Sequence, residues 1–132
     1  TMLELASQGK DISVVDDQYG TPTYASDFAR NLIKIIEFIY KNDFERQYQE
    51  IFHYTNTGST TWFGFAAKIF EFYELKVDLK RIQTSQLSQK ARRPKNTQLS
   101  ISKIKGHFRI RIPSWEESLS NCINNLNLSK NK

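Results

Sequence analysis

A short apolar segment that runs into a polar turn, and then at once into a helical pattern, constrains this chain most. Val14 and Val15 are followed by Asp16-Asp17-Gln18-Tyr19-Gly20-Thr21-Pro22-Thr23, and an amphipathic stretch begins directly afterwards. In α/β proteins a strand that ends in such a turn presents ligand-contacting groups at the edge of a sheet. The segment therefore predicts a strand, a ligand-facing turn and a helix, in that order.

The alternation of strand and helix continues along the chain. Strands are predicted at residues 12–15, 51–55 and 77–82, and helices at residues 23–42, 61–73, 99–108 and 114–126, after a helix end at residues 1–8 that stops at Gly9. This order is typical of the α/β class. We expect a small mixed sheet with about four helices.

Caps and apolar stripes support the helices. Thr23 or a close neighbour is expected to cap the second helix, one of the residues 59–61 the third, and Ser114 with Glu117 forms a capping box for the last. The side chains that the spacing predicts to be buried are Phe28, Leu32, Ile35 and Ile39; Trp62, Phe65, Ala66, Ile69, Phe70 and Tyr73; and Trp115, Leu119, Cys122, Ile123 and Leu126. Trp62 and Trp115 could alternatively stack on a base, but each begins an apolar stripe, which favours the core.

Length and composition indicate one folded domain. The chain has 132 residues, 39% hydrophobic and 25% charged, and it contains no apolar run near the ~18 residues that a membrane span requires. Its one cysteine, Cys122, excludes an internal disulfide and indicates a reducing, cytoplasmic location. We expect a domain over residues 1–126 and a polar tail over residues 127–132.

The net charge of +5 permits an anionic partner without selecting one. Much of the positive charge lies in two short stretches, residues 90–95 and 130–132. Surfaces that bind nucleic acid typically interleave such charge with exposed aromatic side chains. One short basic loop lacks that pattern, so we predict no nucleic-acid partner, whereas a phosphorylated sugar or an acidic protein stays compatible with the charge.

Five segments, taken in order, resemble the dTDP-4-dehydrorhamnose reductases, which are extended short-chain dehydrogenase/reductases. The matching segments are the turn at 16–23, the Asn-x-Gly segment at 51–58, the Thr-Trp-Phe-x-Phe-Ala helix start at 61–66, the Ala-x-Arg-Pro-x-Asn-Thr-x-Leu segment at 91–99, in which Thr97 replaces the usual serine, and the Pro-x-Trp-x-x-x-Leu segment at 112–119. Singly each match is weak, but five in this order are specific.

The resemblance implies that this chain is the C-terminal, substrate-binding part of such a reductase, without most of the Rossmann nucleotide domain. None of the 5 glycines forms a Gly-x-Gly-x-x-Gly motif, and no Tyr-x-x-x-Lys stands in the family's context. We therefore expect no catalytic, cofactor-binding or metal-binding residue here, and no activity from this chain alone. The helical pattern at the start of the chain also suggests a piece of a longer protein.

The full-length protein, on the same resemblance, reduces dTDP-4-dehydro-L-rhamnose to dTDP-L-rhamnose with NADPH or NADH. The implied partners are the dTDP-sugar and the protein's own N-terminal Rossmann domain, and a homodimer is left open. Two alternatives also stay open. One is a non-catalytic binding or regulatory module of the same fold, and the other is a related nucleotide-sugar epimerase or reductase.

Arg93 is the first candidate for substrate binding. A diphosphate needs a fixed cation, and a guanidinium can hold phosphate oxygens in a bidentate manner. Related reductases and epimerases place an arginine of this loop on the diphosphate, and Arg93 is the matching position. Without the resemblance, Arg92, Arg93 and Lys95 describe an ordinary solvated basic loop.

Gln18, Tyr19 and Gly20 lie in the turn that the family places beside the nucleotide. An amide and a phenol can hydrogen-bond or stack, and a glycine admits a close approach. An ordinary strand-to-helix turn would use the same residues. Asn96 either reaches a ribose hydroxyl or serves as a turn residue.

The remaining polar residues give weaker signals. Asp16 and Asp17 are adjacent, and adjacent residues on a strand point to opposite faces, so a shared acid/base or metal site is disfavoured. His53 and His107 lack further ligands at metal-binding spacing. We predict no metal site.

Overall fold

The computed structural model describes residues 2–9, 11–42, 50–88 and 91–130, with the side chains of 128–130 excepted. This part of the chain forms nine elements: α1 Met2–Ser7, β1 Ile12–Val15, β2 Tyr19–Gly20, α2 Ala25–Lys41, β3 Thr60–Thr61, α3 Trp62–Phe72, β4 Leu79–Ile82, α4 Ser102–Phe108 and α5 Trp115–Lys130. A 3-10 turn, Thr84–Gln86, follows β4. The predicted α/β class is confirmed, and α5 continues past the boundary expected at 126.

The strands form two small pairs. β1 and β4 are parallel, with Ile12 opposite Leu79 and Val15 opposite Ile82. β2 and β3 are antiparallel, with Tyr19 opposite Thr61. Because α3 starts directly at the end of β3 and packs on β1, the two pairs bring the end of β1 and the start of α3 together.

The predicted strand at 51–55 is wrong. Its backbone pairs with no strand among the described residues, although its alternation of side chains is real. Phe52 and Tyr54 pack against the cluster around Phe108, while Ile51 is exposed. The alternation of side chains correctly predicted that one face of residues 51–55 packs on the core, but this segment does so without joining a sheet.

Three apolar clusters make up the core. The first lies under β1 and α3, the second joins α2 to α4 and the segment that follows α4, and the third joins α3 to α5. Their buried members are Ile12, Val14, Ala66 and Phe70; Ile35, Ile104, Phe108, Ile110 and Ile112; and Trp115, Leu119 and Ile123. α3 contributes to two of the clusters and so links β1 to α5.

The predicted buried face of α2 is largely wrong. Ile35 is buried, but Phe28, Leu32 and Ile39 are exposed. The buried row runs one position to the side, through Asp27, Asn31 and Ile35. Two polar side chains occupy that row because hydrogen-bond partners are available inside the fold, an arrangement that apolar spacing does not show.

Two further side chains predicted to be buried are exposed. Trp62, at the start of α3, is 59% exposed, and Leu126, near the end of α5, is 50% exposed. Both lie at the outer ends of stripes whose central members are buried. A helix end can extend past its packing partner, so the periodicity continues where the contact has stopped.

A buried polar network ties the N-terminal ends of α2 and α5 to the segment before β3. Asn56, which is 1% exposed, accepts a hydrogen bond from the Tyr24 amide at 2.9 Å and donates to Ser118 Oγ at 2.7 Å and to the Pro113 carbonyl at 3.2 Å. Ser118 Oγ in turn donates to Asp27 Oδ2 at 2.5 Å. Each polar side chain is satisfied, which makes the network specific for this arrangement of segments.

Burial alone would raise the pKa of Asp27, but its partners outweigh that effect. Hydrogen bonds from Ser118 and Arg30, together with the positive charge of Arg30, hold the pKa of Asp27 below its usual value. The carboxylate is therefore ionised at neutral pH, and it accepts from both neighbours in the folded chain.

The caps follow the sequence in part. Thr61 caps α3, since its Oγ1 accepts from the Gly64 amide at 3.0 Å, as expected for one of residues 59–61. At α2, where Thr23 or a close neighbour is expected to cap the helix, Tyr24 is the N-cap residue but its side chain makes no capping hydrogen bond. The Tyr24 amide is instead bound by the buried Asn56. A tertiary contact thus replaces the local cap.

The capping box predicted for α5 is half formed. Ser114 Oγ accepts from the Glu117 amide at 3.1 Å. The Glu117 carboxylate does not close the box but accepts from Arg111 at 2.8 and 3.0 Å. A nearby guanidinium offers a carboxylate two charge-assisted hydrogen bonds, and this outcompetes the reciprocal backbone bond.

Candidate functional site

The candidate site is built around the main chain of Tyr19, where three distant segments meet. On one side Tyr19 pairs with Thr61 of β3. On the other side its amide donates to the Lys95 carbonyl at 2.8 Å, and its carbonyl accepts from the Thr97 amide at 2.9 Å. The turn after β1, the start of α3 and the basic loop at 91–97 are therefore fixed to one another through backbone hydrogen bonds.

Asp17 and Gln18 fix the turn that follows β4. Asp17 Oδ1 accepts from the Thr84 amide at 2.8 Å and from the Thr84 hydroxyl at 2.6 Å, and Gln18 Nε2 donates to Thr84 Oγ1 at 3.0 Å. The hydroxyl bond from Thr84, assisted by its amide, lowers the pKa of Asp17. Asp17 is thus an ionised structural anchor.

Asp16 serves a separate contact, as the alternation along a strand predicts. Its Oδ1 accepts from the Thr61 hydroxyl at 2.5 Å and its Oδ2 from Arg81 at 3.1 Å. Because Thr61 also caps α3, Asp16 connects the end of β1 to the first turn of that helix. The two neighbouring carboxylates do not share a site.

A cavity of about 780 Å³ opens beside these contacts. Four of the five predicted site residues line it: Gln18, Tyr19, Gly20 and Arg93. The volume falls in the range that accommodates a small organic ligand or a nucleotide. The end of β1, the start of α3 and the loop at 93–97 complete its wall.

Arg93 differs from its neighbour Arg92 in this geometry. Arg93 lines the cavity and Arg92 does not. Within the described ranges no carboxylate forms a salt bridge with Arg93, whereas Arg30, Arg81 and Arg111 are each paired with one. The cavity wall therefore carries a guanidinium that is available to an anion.

Asn96, the fifth predicted residue, makes a local hydrogen bond within its own loop. Its Oδ1 accepts from the Gln98 amide at 2.9 Å, and it lies outside the cavity lining. This is the turn role that the sequence left open. The idea that Asn96 reaches a ribose stays a prediction.

The basic loop at 91–97 passes so close to Gly20 that a side chain there would collide with it. A Cβ placed on Gly20 would lie 2.9 Å from Thr97 Oγ1, which itself donates to the Tyr19 carbonyl at 3.1 Å. A side chain at position 20 would push Thr97 out of that bond. The glycine therefore lets the two walls of the cavity come together.

Comparison with known proteins identifies the family. A family model described as the RmlD substrate binding domain matches residues 1–128. The chain belongs to this family. The dTDP-4-dehydrorhamnose reductase of Sinorhizobium fredii is 32% identical in an alignment of 121 residues that covers 89% of this chain and 40% of that protein. The chain thus spans about two fifths of the length of the curated relatives it matches.

Solved structures support the same assignment. A dTDP-4-dehydrorhamnose reductase from Clostridium acetobutylicum superimposes with a TM-score of 0.82 and 31% identity over 96% of this chain and 42% of that one. The Bacillus anthracis reductase, solved in complex with NADP, gives a TM-score of 0.78 and 33% identity over 91% and 40% of the two chains. The resemblance that the five motifs indicated is confirmed.

Trp62 belongs to the cavity wall, although the apolar stripe of α3 predicted a buried position. Its position in the stripe favoured the core over the alternative of a ring that stacks on a base, but Trp62 is 59% exposed and lines the cavity. The local signal was its position as the first residue after the helix cap Thr61. A side chain in that position lies at the junction of β3 and α3, on the wall of the cavity.

The RmlD domain contains no glycine motif for a dinucleotide. Its glycines are Gly9, Gly20, Gly58, Gly64 and Gly106, and no three of them have the Gly-x-Gly-x-x-Gly spacing that lets backbone approach a pyrophosphate. Across the described ranges, no cluster of three or more metal-ligating side chains occurs, and no helix is long and apolar enough to cross a membrane.

Proposed function

We propose that this chain is the dTDP-sugar-binding part of a dTDP-4-dehydrorhamnose reductase. The observation that carries the proposal is that Arg93, unpaired among the described residues, shares one cavity with the Gln18-Tyr19-Gly20 turn. The matches to reductases over about nine tenths of the chain support the choice of substrate.

Each wall residue has a chemical role in this proposal. Arg93 binds the diphosphate, because a planar guanidinium matches two phosphate oxygens at once. Pro94, which also lines the cavity, restricts the backbone directly after it. Gln18 is held by Thr84 through its amide NH₂, so its carbonyl oxygen serves as the acceptor toward the ligand.

The reduction itself requires more than this chain. We propose that the parent enzyme reduces the 4-keto group of a dTDP-6-deoxyhexulose with NADPH or NADH, in the cytoplasm, and that a Rossmann half of the same protein binds the dinucleotide. The NADP complex of the Bacillus anthracis relative supports this cofactor class. By itself the chain then binds substrate without turnover, and a homodimer is compatible with this role.

Calorimetric titration of the chain with dTDP tests the proposal. We expect binding of dTDP that is stronger than that of UDP, and no binding of NADPH. Arg93→Ala should abolish the heat of dTDP binding. Arg92→Ala is the matched control, since it removes the same charge from the same loop outside the cavity.

Two results would contradict the proposal. Equal losses of dTDP affinity in Arg92→Ala and Arg93→Ala would show that only the net charge of the loop matters. A folded wild-type chain, verified by circular dichroism, that gave no heat with dTDP would remove the evidence for a nucleotide-sugar half-site.

A further inference from the structure

Three hydrogen bonds attach the loop that carries Arg93 to the main chain of Tyr19. The Tyr19 amide donates to the Lys95 carbonyl at 2.8 Å, and the Tyr19 carbonyl accepts from the Thr97 amide at 2.9 Å. The same carbonyl also accepts from the Thr97 hydroxyl, at 3.1 Å. Of these three bonds only the last depends on the identity of a side chain. The sequence can therefore adjust the attachment of this loop at position 97.

Pro94 connects this attachment to Arg93. Its ring fixes its own φ at about −65° and restricts the backbone of the residue before it, which here is Arg93. Lys95, whose carbonyl is bound, directly follows Pro94. Few free torsions therefore separate the bound carbonyl from the guanidinium side chain. Arg93, Pro94 and Thr97 all line the same cavity.

The Thr97 hydroxyl also has a restricted place in the structure. A Cβ on Gly20 would lie 2.9 Å from Thr97 Oγ1, so the glycine leaves room for the hydroxyl beside the Tyr19 carbonyl. Threonine is β-branched, and χ1 of such a side chain is restricted. Thr97 is nevertheless exposed, so water can replace its hydroxyl bond without unfolding the chain. The hydroxyl should therefore matter more for the geometry of the loop than for the stability of the fold.

We propose that Thr97 is a positioning residue for Arg93: its hydroxyl holds the loop in the geometry in which the guanidinium meets the diphosphate of the ligand. A loop that is already ordered loses less conformational entropy when the ligand binds. Without the hydroxyl bond the loop is less well ordered, and the affinity for the diphosphate falls. The inference rests on the proposed function and adds the residue that keeps its cation in place.

Titration of the ¹⁵N-labelled chain with dTDP, followed by NMR, tests the inference. Thr97→Val removes the hydroxyl and keeps the β-branched shape, and it should weaken dTDP binding by about 3- to 10-fold, the usual effect of one neutral hydrogen bond. Thr97→Ser retains the hydroxyl and should bind dTDP within about twofold of the wild-type chain. At equal saturation, the dTDP-induced shift of the Arg93 Nε–Hε resonance should be smaller in Thr97→Val and unchanged in Thr97→Ser.

Ser100→Ala is the matched control, since it removes an exposed hydroxyl from the same stretch of chain outside the cavity. It should leave the dTDP affinity unchanged, and the urea midpoint of Thr97→Val should equal that of the wild-type chain. A fall in that midpoint that parallels the loss of affinity would instead assign Thr97 a structural role.

Two further results would refute the positioning role while the proposed function stands. One is that Thr97→Val binds dTDP within about twofold of the wild-type chain. The other is a lowered affinity that Thr97→Ser does not restore, or that leaves the shift of the Arg93 resonance unchanged. If the wild-type chain does not bind dTDP, the proposed function fails and this inference fails with it.

Discussion

Asn56→Ala should destabilise the fold because one side chain holds three segments together. The substitution removes the hydrogen bonds to the Tyr24 amide, to Ser118 Oγ and to the Pro113 carbonyl. At about 1 kcal/mol for each bond, the loss is about 3 kcal/mol. The Pro113 carbonyl keeps a second bond, from the Thr57 amide at 2.9 Å, so its own desolvation adds little.

This loss is a large part of the stability of a domain of this size, which is typically about 5–15 kcal/mol. Urea unfolding followed by circular dichroism measures it. With an m value of about 2 kcal/mol/M, the midpoint should fall by about 1.5 M at unchanged slope. Asn121→Ala is the control, because Asn121 is an exposed asparagine on α5 and its removal should change stability by less than about 0.5 kcal/mol.

A double-mutant cycle separates the network from general packing. Asn56→Ala and Ser118→Ala remove two members that share a hydrogen bond at 2.7 Å, so their effects should be less than additive by at least about 0.5 kcal/mol. Full additivity, or a loss below about 1 kcal/mol for Asn56→Ala alone, would refute the view that this network holds the N-terminal ends of α2 and α5 together.

Three further predictions concern single contacts. The pKa of Asp27 is lower in the folded than in the unfolded chain, so its contribution to the free energy of unfolding is complete above about pH 4 and is lost as the pH falls through the folded-state pKa. The free energy of unfolding of Asp27→Asn, measured during acid titration, should therefore fall less steeply with pH than that of the wild-type chain. Thr61→Ala should cost about 1–2 kcal/mol in urea unfolding by removing the cap of α3, and Thr61→Ser should restore most of it. Gly20→Ala should weaken dTDP binding in calorimetry by displacing Thr97, whereas Gly106→Ala, whose added methyl meets nothing within 4 Å, should not.

Features encoded within a few residues were predictable. Local spacing predicted the cap of α3 among residues 59–61, the strand Ile12–Val15, and a strand at 77–82 that the structure shows as Leu79–Ile82. The shared cavity of Arg93 and the turn at 18–20 followed from the order of the family motifs rather than from local chemistry. Motif order carries long-range information that no single segment contains.

Features that depend on which distant segment packs against a residue could not be predicted. The buried row of α2 contains Asp27 and Asn31 because Ser118, Tyr54 and the Arg111 carbonyl lie opposite them. The apolar pattern predicts that such polar positions face solvent, because it contains no information about hydrogen-bond partners that are distant in the sequence. Trp62 is a similar case. Its apolar side chain predicted burial, but the start of α3 borders the cavity, so the side chain is exposed there.

The main-chain bonding of Tyr19 has a consequence for how the lining of the cavity can vary. Position 19 is held by its amide and carbonyl, so its side chain is not needed to keep the walls in place. Substitutions at position 19 are therefore expected to leave these backbone hydrogen bonds intact. At Gly20, one residue later, the fold tolerates no side chain without moving Thr97. A position that accepts other side chains therefore lies next to one that does not, and changes to the cavity lining should begin at Tyr19.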